Sequence, residues 1–124
     1  MEAKDLMIGD WVKVTHLNRI GKVFRIDQAN GDGNGCVALI DGDFHESDLE
    51  PISLTPEILE KNGWRYDKSA CTWVNDDIEI HLEDGFDGNG FWWKAGVNHI
   101  TPINYVHQFQ HVLKILGIKK EIIL

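Results

Sequence analysis

The stretch LTPEILEKNGW, at residues 54–64, decides how the chain divides between strands and helices. Thr55 can cap the start of a helix, and Pro56 suits its first position because proline lacks an N–H group that would have no partner there. Gly63 suits the left-handed conformation that commonly ends a helix. The sequence predicts strands before this helix, and strands followed by a second helix after it. We therefore expect the α+β fold class.

The first part of the chain, residues 1–53, carries short segments in which apolar and polar residues alternate. In the segment DWVKV, Trp11 and Lys13 fall on one side of a strand, and Val12 and Val14 fall on the other. Glycine-rich turns separate the predicted strands, which lie at residues 10–14, 21–26, 36–40 and 48–52. Short strands at such regular intervals are typical of a small closed or nearly closed β-barrel.

The second part, residues 54–124, is expected to pack against the first, because the joint between them is too short to be flexible. After the helix at residues 54–64 we expect antiparallel strands and a closing helix, in the order α-β-β-β-α. The strands are predicted at residues 64–74, 77–83 and 91–97, and the helix at residues 103–116. Thr101 is the expected cap of that helix, Pro102 its first residue and Gly117 its end.

The charge and composition of the chain narrow the classes of function. Twenty acidic against twelve basic residues give a net charge of −8, which disfavours nucleic acid and anionic membranes as partners. No apolar run approaches the ~20 residues needed to cross a bilayer, so we expect a cytoplasmic protein. Cys36 and Cys71 lie far apart, and we expect both to be reduced. No phosphate-binding glycine loop or catalytic motif occurs, and no cofactor is expected.

Two histidines four residues apart, His107 and His111, would lie on one face of the closing helix, as the metal ligands of many zinc hydrolases do. Such enzymes need a glutamate directly after the first histidine, whereas Gln108 occupies that position and cannot accept a proton. His81 or His99 would have to supply a third ligand. The apolar stripe of the helix points in nearly the opposite direction, so we expect the imidazoles to lie outside the core. A metal site and a solvated helix face both remain open.

A second candidate metal site lies in a glycine-rich turn. Asn30, Asp32, Asn34 and Asp41 have the spacing of the oxygen ligands in a calcium-binding loop, and Gly35 occupies the position of the sharp turn. The first ligand is an asparagine, and the last is an aspartate where a longer, bidentate glutamate is usual, so calcium would bind weakly. The alternative is a polar hairpin loop whose glycines permit positive φ angles.

Two resemblances add to this picture. The N-terminal part resembles an SH3-like barrel of the translation-factor or Tudor kind, a class that binds peptides, proteins or RNA; the resemblance is carried by residues 9–12 (GDWV), 21–23 (GKV), 37–40 (VALI) and 49–52 (LEPI). Residues 54–64 and 105–113 (YVHQFQHVL) make nearly the whole chain similar to a family of small uncharacterised proteins of gut Bacteroidetes and their phages. This second resemblance implies no catalytic residues, and it implies that YVHQ at residues 105–108 is a family feature.

The function that the sequence favours is a non-enzymatic protein-interaction module, associated with a phage or mobile element. Trp92 is adjacent to Trp93, and the two side chains of such a pair point to opposite faces of a strand, so one of them can face a partner. The candidate binding residues are Trp11, Trp92, Tyr105 and His107. The partner protein and the oligomeric state are left open. The alternatives are a metal-dependent hydrolase that uses His107 and His111, and an RNA-binding barrel.

Overall fold

Two five-stranded antiparallel sheets account for most of the fold. The structure is a computed structural model, and it describes residues 1–27, 35–40, 42–84, 91–95 and 98–124. The chain divides into two compact units, Met1–Ile52 and Ser53–Leu124, and each unit contains one of the sheets. Strands and helices are both present, with a curled antiparallel sheet in the form of a half-barrel, so the fold class is α+β.

The first unit is built from short strands and single 3₁₀ turns. Its strands are β1 (Trp11–Val14), β2 (Arg19–Asp27), β3 (Cys36–Leu39), β4 (Gly42–His45) and β5 (Leu49–Glu50). They are hydrogen-bonded in the order β4-β3-β2-β1-β5. The 3₁₀ turns lie at Ala3–Asp5, Thr15–Leu17 and Glu46–Asp48. The last of these turns directly precedes β5, which returns to pair with β1.

The core of the first unit lies on one side of this sheet. Val12 and Val14 are fully buried, whereas Trp11 and Lys13, which alternate with them, are half-buried, because successive side chains of a strand point to opposite faces. This alternation confirms the prediction for residues 10–14. The buried cluster consists of Leu6, Val12, Val14, Val23, Val37, Leu39 and Leu49, all of which belong to the first unit.

The strand β4 was not predicted from the sequence. Its four residues contain a single large apolar side chain, Phe44, so they carry no alternating pattern. It forms because each of its four residues pairs with a residue of β3. Among the described residues β4 and β5 are the two edges of the sheet, which curls into a half-barrel. The SH3-like barrel stays a prediction.

In the second unit, five strands follow one helix along the chain and precede another. In chain order its elements are α1 (Pro56–Lys61), β6 (Arg65–Asp67), β7 (Thr72–Asn75), β8 (Ile78–Asp84), β9 (Phe91–Ala95), β10 (Asn98–Ile103) and α2 (Val106–Ile115). The strands are ordered β10-β9-β8-β7-β6. Within the described part of the chain, neither helix is long and apolar enough to cross a membrane.

The predicted ends of α1 are confirmed. The side-chain oxygen of Thr55 accepts a hydrogen bond of 3.3 Å from the backbone N–H of Ile58, and Pro56 is the first helical residue. Gly63 has a φ of +94°, a conformation that favours glycine over residues with a Cβ atom. Just beyond it, the buried ring of Trp64 packs edge-to-face on Phe109 of α2, with the ring centroids 5.0 Å apart.

The second unit has five strands where we predicted three. The single strand predicted at residues 64–74 is a hairpin of β6 and β7, and β10 is a further strand before α2. The turn between β6 and β7 is closed by Asp67, whose Oδ1 accepts hydrogen bonds from the N–H and the hydroxyl of Ser69. Cys71 in this turn has a φ of +56°. The apolar residues of the two strands gave no sign of this reversal, which depends on a side chain that hydrogen-bonds the backbone two residues on.

The predicted start of the closing helix is wrong. Pro102 lies in β10, where it pairs with Trp92, and α2 is capped by Tyr105. Because β10 is an edge strand, the missing N–H of a proline costs no hydrogen bond there when it faces away from the sheet. The predicted end is confirmed: Gly117 has a φ of +73°, and Ile118 donates to the carbonyl of Leu113 over 2.9 Å.

Candidate functional site

The side of the β1–β2 hairpin that faces away from the core carries Trp11 and the residues around it. In the register of the two strands Trp11 is opposite Lys22, and Lys13 is opposite Ile20. Directly opposed residues of antiparallel strands share a face, so these four lie together, and Phe24 follows two positions after Lys22. We call Trp11, Lys13, Ile20, Lys22 and Phe24 the β1–β2 outer face.

This outer face exposes large apolar side chains. Ile20 is 46% exposed and Phe24 is 53% exposed, although β2 also contributes the buried Val23 to the core. The half-buried ring of Trp11 lies beneath the ammonium group of Lys22, with Nζ 5.1 Å from the ring centroid, which is the geometry of a cation–π contact. The face therefore combines apolar surface with positive charge.

The charge of this hairpin is opposite to that of the whole chain. Residues 11–26 contain Lys13, Arg19, Lys22 and Arg25 and no acidic residue, whereas the chain carries a net charge of −8. Acidic residues from elsewhere in the first unit approach two of these bases. Those ion pairs are Lys13–Glu50 at 3.2 Å, Arg25–Asp27 at 3.1 Å and Arg25–Asp43 at 3.4 Å. All three pairs are partly or largely exposed, so they contribute little stability and can exchange for a partner's carboxylates.

The second group of predicted site residues lies on α2. The rings of Tyr105 and His107 are stacked with centroids 5.9 Å apart, and His107 meets His111 edge-on at 5.6 Å. His107 is only 7% exposed, so the prediction that both imidazoles lie outside the core is wrong for this residue. The rings of Tyr105 and His111 both contact its imidazole ring. His111 and Tyr105 are half-buried.

Gln108, which directly follows His107, caps the start of α2. The side-chain oxygen of Gln108 accepts hydrogen bonds from the backbone N–H groups of Asn104, at 2.8 Å, and Tyr105, at 3.2 Å. It thus satisfies donors at the start of α2, as the third residue of a capping box does. Gln108, which stands where a zinc hydrolase has its general base, is therefore accounted for by helix capping.

The metal hypotheses find no further ligands in the described part of the chain. No group of three or more His, Cys, Asp or Glu side chains there could hold a metal ion. His81 is exposed on β8, and the side chain of His99 is outside the described residues. The four calcium candidates Asn30, Asp32, Asn34 and Asp41 are also outside the described residues, so that site stays a prediction.

Trp92 and Trp93 occupy opposite faces of the second sheet by their register. Trp93 is opposite the fully buried Leu82, whereas Trp92 lies between Glu83 on β8 and the exposed Pro102 on β10. Both tryptophans are half-buried. Of the four predicted binding residues, Trp11 belongs to the first unit and the others to the second, where Tyr105 and His107 are in contact.

The sequence analysis did not single out Ile20 and Phe24. The alternation that places Trp11 on the outer side of β1 continues along β2 and could have indicated them, as could the absence of acidic residues between positions 11 and 26. The fold and these surfaces define the class as an α+β protein with two antiparallel sheets and a basic, apolar hairpin face. No protein-family model, curated protein or solved structure matches the chain.

Proposed function

We propose that this protein is a non-enzymatic protein-interaction module that binds its partner through the β1–β2 outer face. The observation that carries the proposal is the exposure of Ile20 and Phe24 on a strand whose other side is part of a packed core. Large apolar side chains that remain exposed together lose contact with water when a partner covers them, which is the main driving force of association. Trp11 adds an aromatic side chain of the kind that often dominates binding energy.

The expected partner surface is apolar with acidic residues at its rim. Lys13 and Lys22 lie on the same face as the exposed Ile20, and complementary charge raises the association rate and selects the partner. The exposed ion pairs to Glu50, Asp27 and Asp43 can be replaced by carboxylates of the partner at little cost.

RNA binding is the second candidate, because the same hairpin offers bases without acids, and Trp11 and Phe24 could stack on nucleobases. We favour protein because the net charge of −8 disfavours binding to phosphates. The exposed aliphatic side chain of Ile20 also suits a protein surface better than a sugar–phosphate backbone.

Two features of the chain support an SH3-like first unit and an association with phages or mobile elements. A five-stranded sheet in which β5 returns after a 3₁₀ turn to pair with β1 supports an SH3-like assignment for the first unit. The segments at residues 54–64 and 105–113 support an association with the phages or mobile elements of gut Bacteroidetes.

The test compares three variants of the full chain that carry matched substitutions. Ile20→Thr and Phe24→Thr remove apolar surface from the outer face and place a β-branched residue, which favours strands, at each position. Ile40→Thr is the control, because Ile40 is also exposed and in the first unit but lies outside β1 and β2. A protein captured from a lysate of the native cells would be purified, and its Kd for each variant measured by calorimetry.

We expect Kd to rise by about tenfold or more for Ile20→Thr and Phe24→Thr, and to change by less than about twofold for Ile40→Thr. Equal affinities for all three variants would overturn the proposal. Recovery of RNA, with an affinity that falls steeply as salt rises, would favour the RNA-binding alternative instead.

A further inference from the structure

A pocket in the second unit has no role in the proposed interaction surface. It lies between the end of α1 at Gly63, the turn that joins β7 to β8, and the segment that follows α2. Its volume is about 360 Å³, which falls within the range of small-molecule sites. The polar side chains that line it are those of Asn75, Asp76, Asp77, Lys119 and Lys120.

The deepest of these groups is the carboxamide of Asn75, which is only 9% exposed. Its oxygen accepts a hydrogen bond of 3.0 Å from the backbone N–H of Asp77. Its nitrogen, Nδ2, donates to no group of the described residues. A Cβ atom added to Gly63 would lie 3.2 Å from Nδ2, so the open space beside this glycine is the space that the donor faces. This nearly buried donor is therefore available to an acceptor from outside the chain.

The charges around the pocket leave positive groups available. Asp76 is neutralised by Arg65, with 3.1 Å between Nη2 and Oδ1. Lys119 and Lys120 form no ion pair with any residue that the structure describes, although the chain has an excess of acids. Lys119, Lys120 and Asn75 therefore line one cavity together with Asp77.

We propose that this pocket binds a small anionic molecule through a carboxylate or phosphate group. Oxygen atoms of that group would accept hydrogen bonds from Nδ2 of Asn75 and from the ammonium groups of Lys119 and Lys120. Charge-assisted hydrogen bonds of this kind are stronger than those between neutral groups. The site is independent of the β1–β2 outer face, so either proposal can fail without the other.

The first experiment titrates the full-length protein separately with inorganic phosphate and with succinate, and follows the side-chain NH₂ signals of Asn75 by NMR. We expect a saturable shift with at least one anion and a Kd of about 1 mM or tighter. Saturation by phosphate alone identifies a phosphate ligand, and saturation by succinate alone identifies a carboxylate ligand. A shift that increases linearly with both anions, without saturation, would overturn the proposal.

Two pairs of variants locate the site. The double variant Lys119→Gln with Lys120→Gln should raise Kd by about tenfold or more, whereas Lys68→Gln, an exposed lysine in the β6–β7 turn, should leave it within about twofold. Gly63→Ala should also weaken binding, because its methyl group would crowd Nδ2 of Asn75. Gly117→Ala is its control, since its φ is also positive but its Cβ would meet nothing within 4 Å. If each variant changed Kd no more than its control, the anion would not bind in this pocket.

Discussion

Asn62 is a polar residue in the interior of the second unit, where it is only 3% exposed. Its Nδ2 donates to the carbonyls of Ile58 and Ile123, both at 2.8 Å, and its Oδ1 accepts from the N–H of Ile123 at 2.7 Å. The amide thus joins the end of α1 to the segment after α2 and positions Ile122, which is fully buried. A buried amide is tolerated here because both of its polar atoms are hydrogen-bonded.

We therefore expect Asn62→Ala to lower the free energy of unfolding by about 1–3 kcal/mol, because the N–H and the carbonyl of Ile123 lose their hydrogen-bond partner. Urea unfolding followed by tryptophan fluorescence measures the change. The control is Asn104→Ala, since Asn104 is exposed and its side chain makes no hydrogen bond with the described residues. Similar losses of stability in the two variants would show that the hydrogen bonds of the Asn62 side chain do not stabilise the fold.

The helix α1 is short, so its stability depends on its ends. We expect Thr55→Ala to reduce the free energy of unfolding by about 1 kcal/mol, because the N–H of Ile58 loses its acceptor. Thr55→Ser keeps the hydroxyl oxygen and should retain most of the stability. Chemical denaturation of both variants provides the measurement, and an equal loss in Thr55→Ser would contradict a capping role.

The turn between β6 and β7 should be sensitive to acid. The pKa of Asp67 is lowered from 3.8, chiefly because its carboxylate accepts a hydrogen bond from the hydroxyl of Ser69, and also because it accepts from the N–H groups of Ser69 and Ala70. A lowered pKa in the folded state means that this contribution to stability is complete above the ordinary pKa and is lost as the pH falls through the lowered value.

An NMR titration of the Asp67 side-chain carboxyl carbon should therefore give a pKa below the ordinary value. Between about pH 5 and pH 2 the wild-type protein should lose more stability than Asp67→Asn, which keeps an accepting oxygen but does not titrate. Identical pH profiles for the two proteins would show that the turn does not depend on the charge of Asp67.

At the scale of the whole molecule, each unit buries a core made from its own residues. The cluster of the first unit draws only on Met1–Ile52, and the Trp64–Phe109 ring contact and the hydrogen bonds of Asn62 lie within Ser53–Leu124. We expect a fragment of residues 53–124 to fold alone and to give a dispersed amide NMR spectrum. A fragment of residues 53–117 should be much less stable, because it lacks Ile122 and the hydrogen bonds to Asn62. A collapsed spectrum for the longer fragment would refute this.

The sequence predicted correctly those helix ends that depend only on residues close in the chain. The ends of α1 were predicted correctly because Thr55, Pro56 and Gly63 act on backbone groups within one helical turn. Thr101 and Pro102 carry the same local pattern, yet Pro102 is in β10 because it pairs with Trp92 across the sheet. Local chemistry could not distinguish these cases, since the difference lies in a distant strand.

For the candidate binding surfaces too, the sequence predicted some features correctly and others wrongly. The alternation along β1 already put Trp11 on the outer side of the hairpin, but the exposure of Phe24 depended on which residues other strands cover. Helical periodicity placed His107 outside the core, whereas the fold buries it beside the ring of Tyr105. Periodicity gives the direction of a side chain, and the neighbouring elements decide how much of it remains exposed.

By itself, the sequence determined the net charge of −8, the α+β class, the alternation of β1 and the ends of α1. Only the tertiary structure decided that the first sheet curls into a half-barrel and that Asn62 holds Ile123. It also decided that Asn75 and Lys120 line one pocket. The physical reason is that propensity, capping and alternation act between residues close in the chain, whereas burial and hydrogen bonding between distant segments exist only once the chain has folded.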